Sequence, residues 1–193
     1  GTVAGVVGDV ARAVTYSRIG PKHRLAAWAR LLALTAAHPD RPFEAVTVGR
    51  SRRSGKVAVA AVGPLAGDPD TRRQRALAHL GVILDLHQRG LCQPLPLYCA
   101  TSAAWAEAMA ARGRPEREAR KAWVTTWEWT NEDRDLEHRL VLGGVRSFDD
   151  LVAEEPVPGE DGPGWAEDEP SRLGRYARRL WDGLLACERL SDS

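Results

Sequence analysis

The stretch GRSRRSGKV, Gly49 to Val57, comes within one residue of a phosphate-cradling loop. Such a loop reads G, four residues, then G-K-[S/T]. Successive backbone N–H groups then point at one phosphate, and the hydroxyl after the lysine holds magnesium. Here five residues separate Gly49 from Gly55, and Val57 stands where the hydroxyl is needed. No nucleotide is expected at this loop, and no cofactor on the chain. What remains is a crowd of cations, Arg50, Arg52, Arg53 and Lys56, between two apolar runs. They are candidate DNA-binding residues, since such groups contact phosphates with strong salt dependence. A solvated hairpin tip is the competing reading.

Other chemistries need residues that this chain does not align. A metal-dependent nuclease site uses carboxylates with an E-x-K on adjacent strands, the acids holding Mg²⁺ and the lysine orienting water. The three lysines, Lys22, Lys56 and Lys121, are preceded two positions earlier by Gly20, Ser54 and Ala119. No E-x-K exists, and Glu44 is the one carboxylate near the two strand-like runs. The five histidines form neither HExxH nor H-x-H; His79 and His87, with Asp85 between them, are a conceivable pair but read as ordinary helix residues. A G-x-S-x-G nucleophile elbow is absent. The run NEDRDLEHR gathers Glu132, Asp133, Asp135 and Glu137 without the order of a calcium loop, and reads as an acid-rich helix start favoured by the helix dipole. No catalytic residue and no metal ligand is expected. A divergent metal nuclease using Glu44 or the acids near Asp135 is the alternative.

Charge is divided along the chain. Residues 1–125 carry 19 Lys/Arg and 9 Asp/Glu; residues 126–193 carry 8 and 17. A basic body with an acidic tail suits an anionic partner on the first part, or pairing of the two parts with each other. The cations are 24 arginines against 3 lysines, which suits bidentate phosphate contact but is also what a coding bias gives in an Ala/Gly/Arg-rich chain. Three cysteines without a CxxC pair, no apolar h-region after a basic start, and no apolar run of about 20 residues lead us to expect a cytoplasmic setting with no membrane contact.

The elements that must position these residues can be read from periodicity. TVAGVVGDVARAVTYS is a hairpin or bent strand about Gly8-Asp9. Residues 21–37 are a helix opened by Pro21, with a stripe of Leu25, Trp28, Leu32 and Thr35. Two strands, FEAVTVGR and KVAVAAV, flank the basic loop. A long helix follows, capped by Asp68 or Asp70, burying Leu77, Leu80 and Leu84 and stopping at Gly90. LCQPLPLYC is at best an edge strand. Further helices place Trp105, Trp123 and Trp127 in the core, and Ser147 caps a short one. The expected organisation is a domain over 1–153, an acidic, mobile Pro/Gly-rich loop over 154–170, and a terminal amphipathic helix over 171–193. That helix packs on the domain or on a partner, with Leu180, Trp181 and Leu184 as candidate partner-binding residues.

Four segments, VTYSRIGPKHRLAAWARLLALTAA (14–37), LPLYCATSAAWA (95–106), WTNEDRDLEHRLVLGG (129–144) and SFDDLV (147–152), together resemble the C-terminal region of RecC, the non-catalytic subunit of the RecBCD helicase–nuclease. Their order and spacing carry the resemblance, which spans most of the chain. It implies an α/β (α+β) fold: a restriction-endonuclease-like core that has lost its nuclease site, with extra helices. It also implies RecB-like and RecD-like partner subunits, a place near the DNA path, and ATP bound by motor subunits rather than by this chain. Loop 154–170 has no counterpart in the resemblance, and a scaffold domain without DNA contact stays as a further alternative.

Overall fold

A computed structural model describes residues 1–51 and 55–192. The chain forms a mixed α/β arrangement with two compact units, Gly1–Asp85 with Ala186–Ser193, and Leu86–Leu185. These units cut the chain elsewhere than the expected boundaries at 153 and 170, because the last strand returns to the first sheet. Among the described residues no helix is long and apolar enough to cross a membrane.

The first unit is built on one five-stranded sheet in the order β1-β2-β3-β4-β5. Gly8 and Asp9 join β1 (Val6–Val7) to β2 (Val10–Arg18) in an antiparallel hairpin, as the sequence leads one to expect. Helix α1 (Pro21–Ala37) crosses over and delivers β3 (Glu44–Arg50) parallel to β2, since parallel strands need a connection of this length. β4 (Val57–Val62) then pairs antiparallel with β3.

Period-two alternation decides which face is covered. Ala45, Thr47 and Gly49 of β3, with Ala60 and Val62 of β4, turn inward against α1, which buries Ala27, Trp28, Leu31 and Leu32. Within the expected α1 stripe, Trp28, Leu32 and Thr35 are buried and Leu25 is half-buried.

The chain end departs from expectation. The terminal helix stops at Leu185, and β5 (Glu188–Asp192) joins the sheet antiparallel to β4. The cause is a buried ion pair. Arg24 of α1 donates from Nε to both carboxylate oxygens of Glu188, at 2.8 and 3.0 Å, with both side chains almost wholly out of water. The Gly63 N–H also donates to the Cys187 carbonyl at 3.1 Å. An amphipathic pattern alone does not reveal either contact.

Helix α2 (Pro69–Cys92) runs past Gly90, the expected stop. Asp68 caps it, accepting from the Thr71 N–H at 2.9 Å. The expected inward stripe is displaced: Leu77 and Leu84 are exposed, whereas Ala76 and Leu86 are buried. His79 lies 5.1 Å from the Trp28 ring, so it packs in the core of the first unit, and burial lowers its pKa. One position on a helix is a rotation of about 100°, and the ring contact of His79 decides it. The segment LCQPLPLYC forms no strand; its prolines lead directly into α3.

The second unit is helical: α3 (Cys99–Ala110), α4 (Pro115–Trp123), a 3-10 turn (Glu132–Arg134), α5 (Leu136–Leu142), α6 (Phe148–Val152) and α7 (Arg172–Leu185). Its core joins Tyr98, Trp105, Ala119, Trp123, Phe148, Leu151, Leu173 and Ala177. Ser147 caps α6 through its hydroxyl, as expected.

The acidic segment 154–170 is held by buried carboxylates. Glu160 is fully buried. It accepts from Arg172 Nη2 at 2.7 Å, from the Tyr176 hydroxyl at 2.7 Å and from the Val157 N–H at 3.0 Å. Glu169 is buried too, accepting from Trp105 Nε1 at 3.2 Å and from the Ser171 hydroxyl at 3.1 Å. Trp165 lies edge-on to Tyr176 at 5.0 Å, with the Arg179 guanidinium 4.3 Å from its ring centre. A charge-rich, proline-rich sequence reads as mobile only while its carboxylates are counted as solvated.

Glu188 and Glu160 each give a stability test. Glu188→Ala removes the buried carboxylate that accepts from Arg24 and should lower unfolding free energy by about 3–5 kcal/mol, read from denaturant midpoints; a loss under about 1 kcal/mol, the worth of an exposed pair, would contradict it. For Glu160, burial pushes the carboxyl up, but hydrogen bonds from Arg172, Tyr176 and Val157 outweigh it and hold the pKa below the ordinary 4.5. A depressed carboxyl stabilises the fold above its unfolded pKa and loses that stability as pH falls through the folded value. Glu160→Gln should therefore be less stable than the parent at pH 7, with the gap closing in acid below about 4.5. A gap independent of pH would mean the charge of Glu160 contributes nothing.

Candidate interaction surfaces

The expected site residues separate into three groups. Arg50 is exposed at the end of β3 and Lys56 is exposed just before β4, where the Ser51 N–H donates to the Lys56 carbonyl at 3.0 Å. Arg52 and Arg53 lie outside the described residues. The candidate partner-binding side chains on α7 turn inward: Trp181 and Leu184 are fully buried, Leu180 is half-buried, and Trp181 Nε1 donates to the Ser102 hydroxyl at 3.0 Å. Of the two alternatives for this helix, the structure realises packing on its own unit.

One residue that the periodicity assigned to the core, Trp127, lies on the surface instead. Trp105 and Trp123 are buried, but Trp127 is 93% exposed and Trp129 is 64% exposed. Helix α4 ends at Trp123, with the Val124 N–H donating to the Arg120 carbonyl. Trp127 therefore sits on a loop, not on a fourth helical turn.

That loop is tightly held. Asn131 Nδ2 donates to the carbonyls of Lys121 at 2.9 Å and Val124 at 2.6 Å. The Thr126 N–H donates to the Trp129 carbonyl at 2.9 Å, and the Trp129 N–H returns to the Thr126 hydroxyl at 3.2 Å. Asp133 accepts from the Thr125 N–H at 3.1 Å and from the Thr125 hydroxyl.

Three acids of NEDRDLEHR, Glu132, Asp133 and Asp135, accept such hydrogen bonds. Glu132 lies across the start of α3, accepting from the N–H groups of Ala100 and Thr101 and from the Thr101 hydroxyl, each at 2.8 Å. A helix start has free donors and a positive end of its dipole, so a carboxylate there is stabilised. Asp135 caps α5 by accepting from the Glu137 and His138 N–H groups. The His138 ring stacks 5.9 Å from Trp123 and meets Tyr98 edge-on at 4.9 Å, which seats α5 on the core. Leu136 and Leu140, four residues apart on one helix face, are left exposed. Burial, then the nearby Glu154 carboxylate, pushes the Tyr98 hydroxyl up to about 12, so it stays neutral.

Charge distinguishes this surface from the sheet. Residues 124–137 hold five carboxylates and one arginine. On β2, Arg12, Val14, Tyr16 and Arg18 alternate with the inward row and are exposed, Tyr16 to 89%. The alternation in RAVTYSR is the sequence signal that places these four together. Glu44 is engaged by Arg189 Nη2 at 3.5 Å. Among the described residues no group of three or more His, Cys, Asp or Glu side chains converges as a metal site.

Comparison with known proteins bears on these surfaces. The chain is 36% identical over 188 residues to the RecBCD enzyme subunit RecC of Mycobacterium tuberculosis (strain ATCC 25618 / H37Rv), covering 97% of this chain and 16% of that protein. It is 40% identical over 192 residues to the RecBCD enzyme subunit RecC of Mycolicibacterium smegmatis, covering 98% of this chain and 16% of that protein. The chain thus spans about a sixth of the length of these relatives. The family model described as RecC C-terminal domain matches residues 1–110, from the sheet to the end of α3, and the chain belongs to that family.

Proposed function

We propose that this chain is a non-catalytic docking domain of a RecC-type subunit, within an ATP-dependent helicase–nuclease that acts in double-strand-break repair by homologous recombination. The observation that carries the reading is the loop holding Trp127 and Trp129. Two tryptophans held in water by a network of backbone hydrogen bonds have already given up the conformational freedom that binding would otherwise remove. Tryptophan is also the residue most enriched at the energetic centres of protein interfaces. The carboxylates around the loop repel nucleic acid, so its partner is a protein, a RecB-like or RecD-like subunit.

In this reading the basic stretch of sequence that follows β3, with Arg50, Arg52, Arg53 and Lys56, contacts DNA. The order α1, β3, β4, α2 is compatible with a restriction-endonuclease-like core. Without an E-x-K in the sequence, such a core serves as scaffold rather than nuclease. The chain binds no nucleotide of its own.

The test uses the full-length subunit. Trp127→Ala with Trp129→Ala should leave its thermal unfolding nearly unchanged, because the rings bury little within the unit. Affinity for the partner subunits should fall at least about 30-fold, the loss that an interface centre of about 2 kcal/mol gives. Unchanged assembly would reject the docking role of this loop.

A further inference from the structure

We infer that the open face of β2 and β3 binds single-stranded nucleic acid, with Tyr16 stacking on a base and Arg12, Arg18, Arg50 and Lys56 taking the flanking phosphates. The inference rests on the DNA-facing reading of the sheet and adds to it a strand state and an aromatic platform.

Three observations converge. Tyr16 is 89% exposed on the sheet face opposite α1, a position in which a phenol ring buries little area on folding. The Arg50 guanidinium stands 5.6 Å from its ring centre, so a cation already marks one side of the platform. In the strand register Arg18 lies directly opposite Arg50. Like charges directly opposite on a sheet are destabilising, and among the described residues neither pairs with a carboxylate. A phosphate between them relieves that repulsion.

The backbone holds the arrangement in place. From Val14 to Arg18 β2 advances four residues while β3 advances two, from Val48 to Arg50, so β2 bulges at Tyr16. Gly49 makes the close approach possible: a Cβ there would lie 2.8 Å from the Ile19 side chain and 2.9 Å from the Ser17 carbonyl. Arg12 to Arg18 spans roughly 20 Å of strand at about 3.3 Å per residue. That length lets cations follow a nucleic-acid backbone on either side of one stacked base. Glu44, on the same face toward its other end, is already engaged by Arg189.

An exposed ring favours single strands, because a base must be free of its own stack to lie on it, and stacking is indifferent to base identity. The full chain is titrated with a labelled oligothymidylate and with a duplex of equal length, over a range of salt. We expect tighter binding of the single strand. Tyr16→Ala should weaken it about tenfold with the salt slope kept, and Tyr16→Phe should retain it. Arg12→Ala with Arg18→Ala should lower the slope of log affinity against log salt by roughly 1.4, the value for two phosphates on a single strand. If the arginine pair matters but Tyr16→Ala does not, or duplex binds equally well, the stacking site is overturned while the DNA-facing reading stands. If the parent chain binds neither probe, both fall. Thermal unfolding of each variant checks that the exposed substitutions leave the fold intact.

Discussion

Three donors at the start of α3 converge on the carboxylate of Glu132, and the exposed tryptophan surface of the second unit depends on that convergence. A helix begins with donors that have no partner in the helix. Here they are satisfied by a side chain from a segment some thirty residues further along. The carboxylate therefore ties the stretch after α4 back to the core. Asp133 and Asp135, its neighbours, close the adjoining turns. With three acids engaged in this way, the loop between α4 and the 3-10 turn has little freedom left. Its two tryptophans are displayed rather than buried.

The same principle recurs through the protein. Glu188 holds the last strand to α1 through Arg24, and Glu160 and Glu169 hold the acidic segment to α7 and α3. Inward-turned carboxylates matched to arginine, indole and backbone donors meet the condition under which buried charge is tolerated. What they leave outside is sorted by sign. One surface joins aromatic rings to carboxylates, and another joins an aromatic ring to arginines that meet no carboxylate among the described residues. The first suits a protein and the second an anionic polymer.

Much of the fold was legible in the sequence. Glycine and aspartate marked the first hairpin, Pro21 opened α1, and Ser147 capped α6. The alternation of RAVTYSR contained the exposed row of β2. The illegible parts share a cause, since each depends on a contact distant in sequence. β5 exists because Arg24 meets Glu188 across 164 positions, which a helical pattern in the same residues conceals. Trp127 has helical spacing from Trp123, yet α4 stops at Trp123. Segment 154–170 looks like a solvated linker until Glu160 and Glu169 find their donors. The partner-facing side chains expected on α7 were read from an amphipathic stripe, and such a stripe does not say which apolar surface it meets.

The most direct test of the account is hydroxyl-radical footprinting, read by mass spectrometry, of the full-length subunit alone, in the assembled complex, and in the complex with a DNA end. Trp127 and Trp129 should be oxidised in the free subunit and protected on assembly, before DNA is added, while Tyr16 should be protected only once DNA is present. Tryptophans as reactive in the complex as in the free subunit, or protected only by DNA, would contradict it.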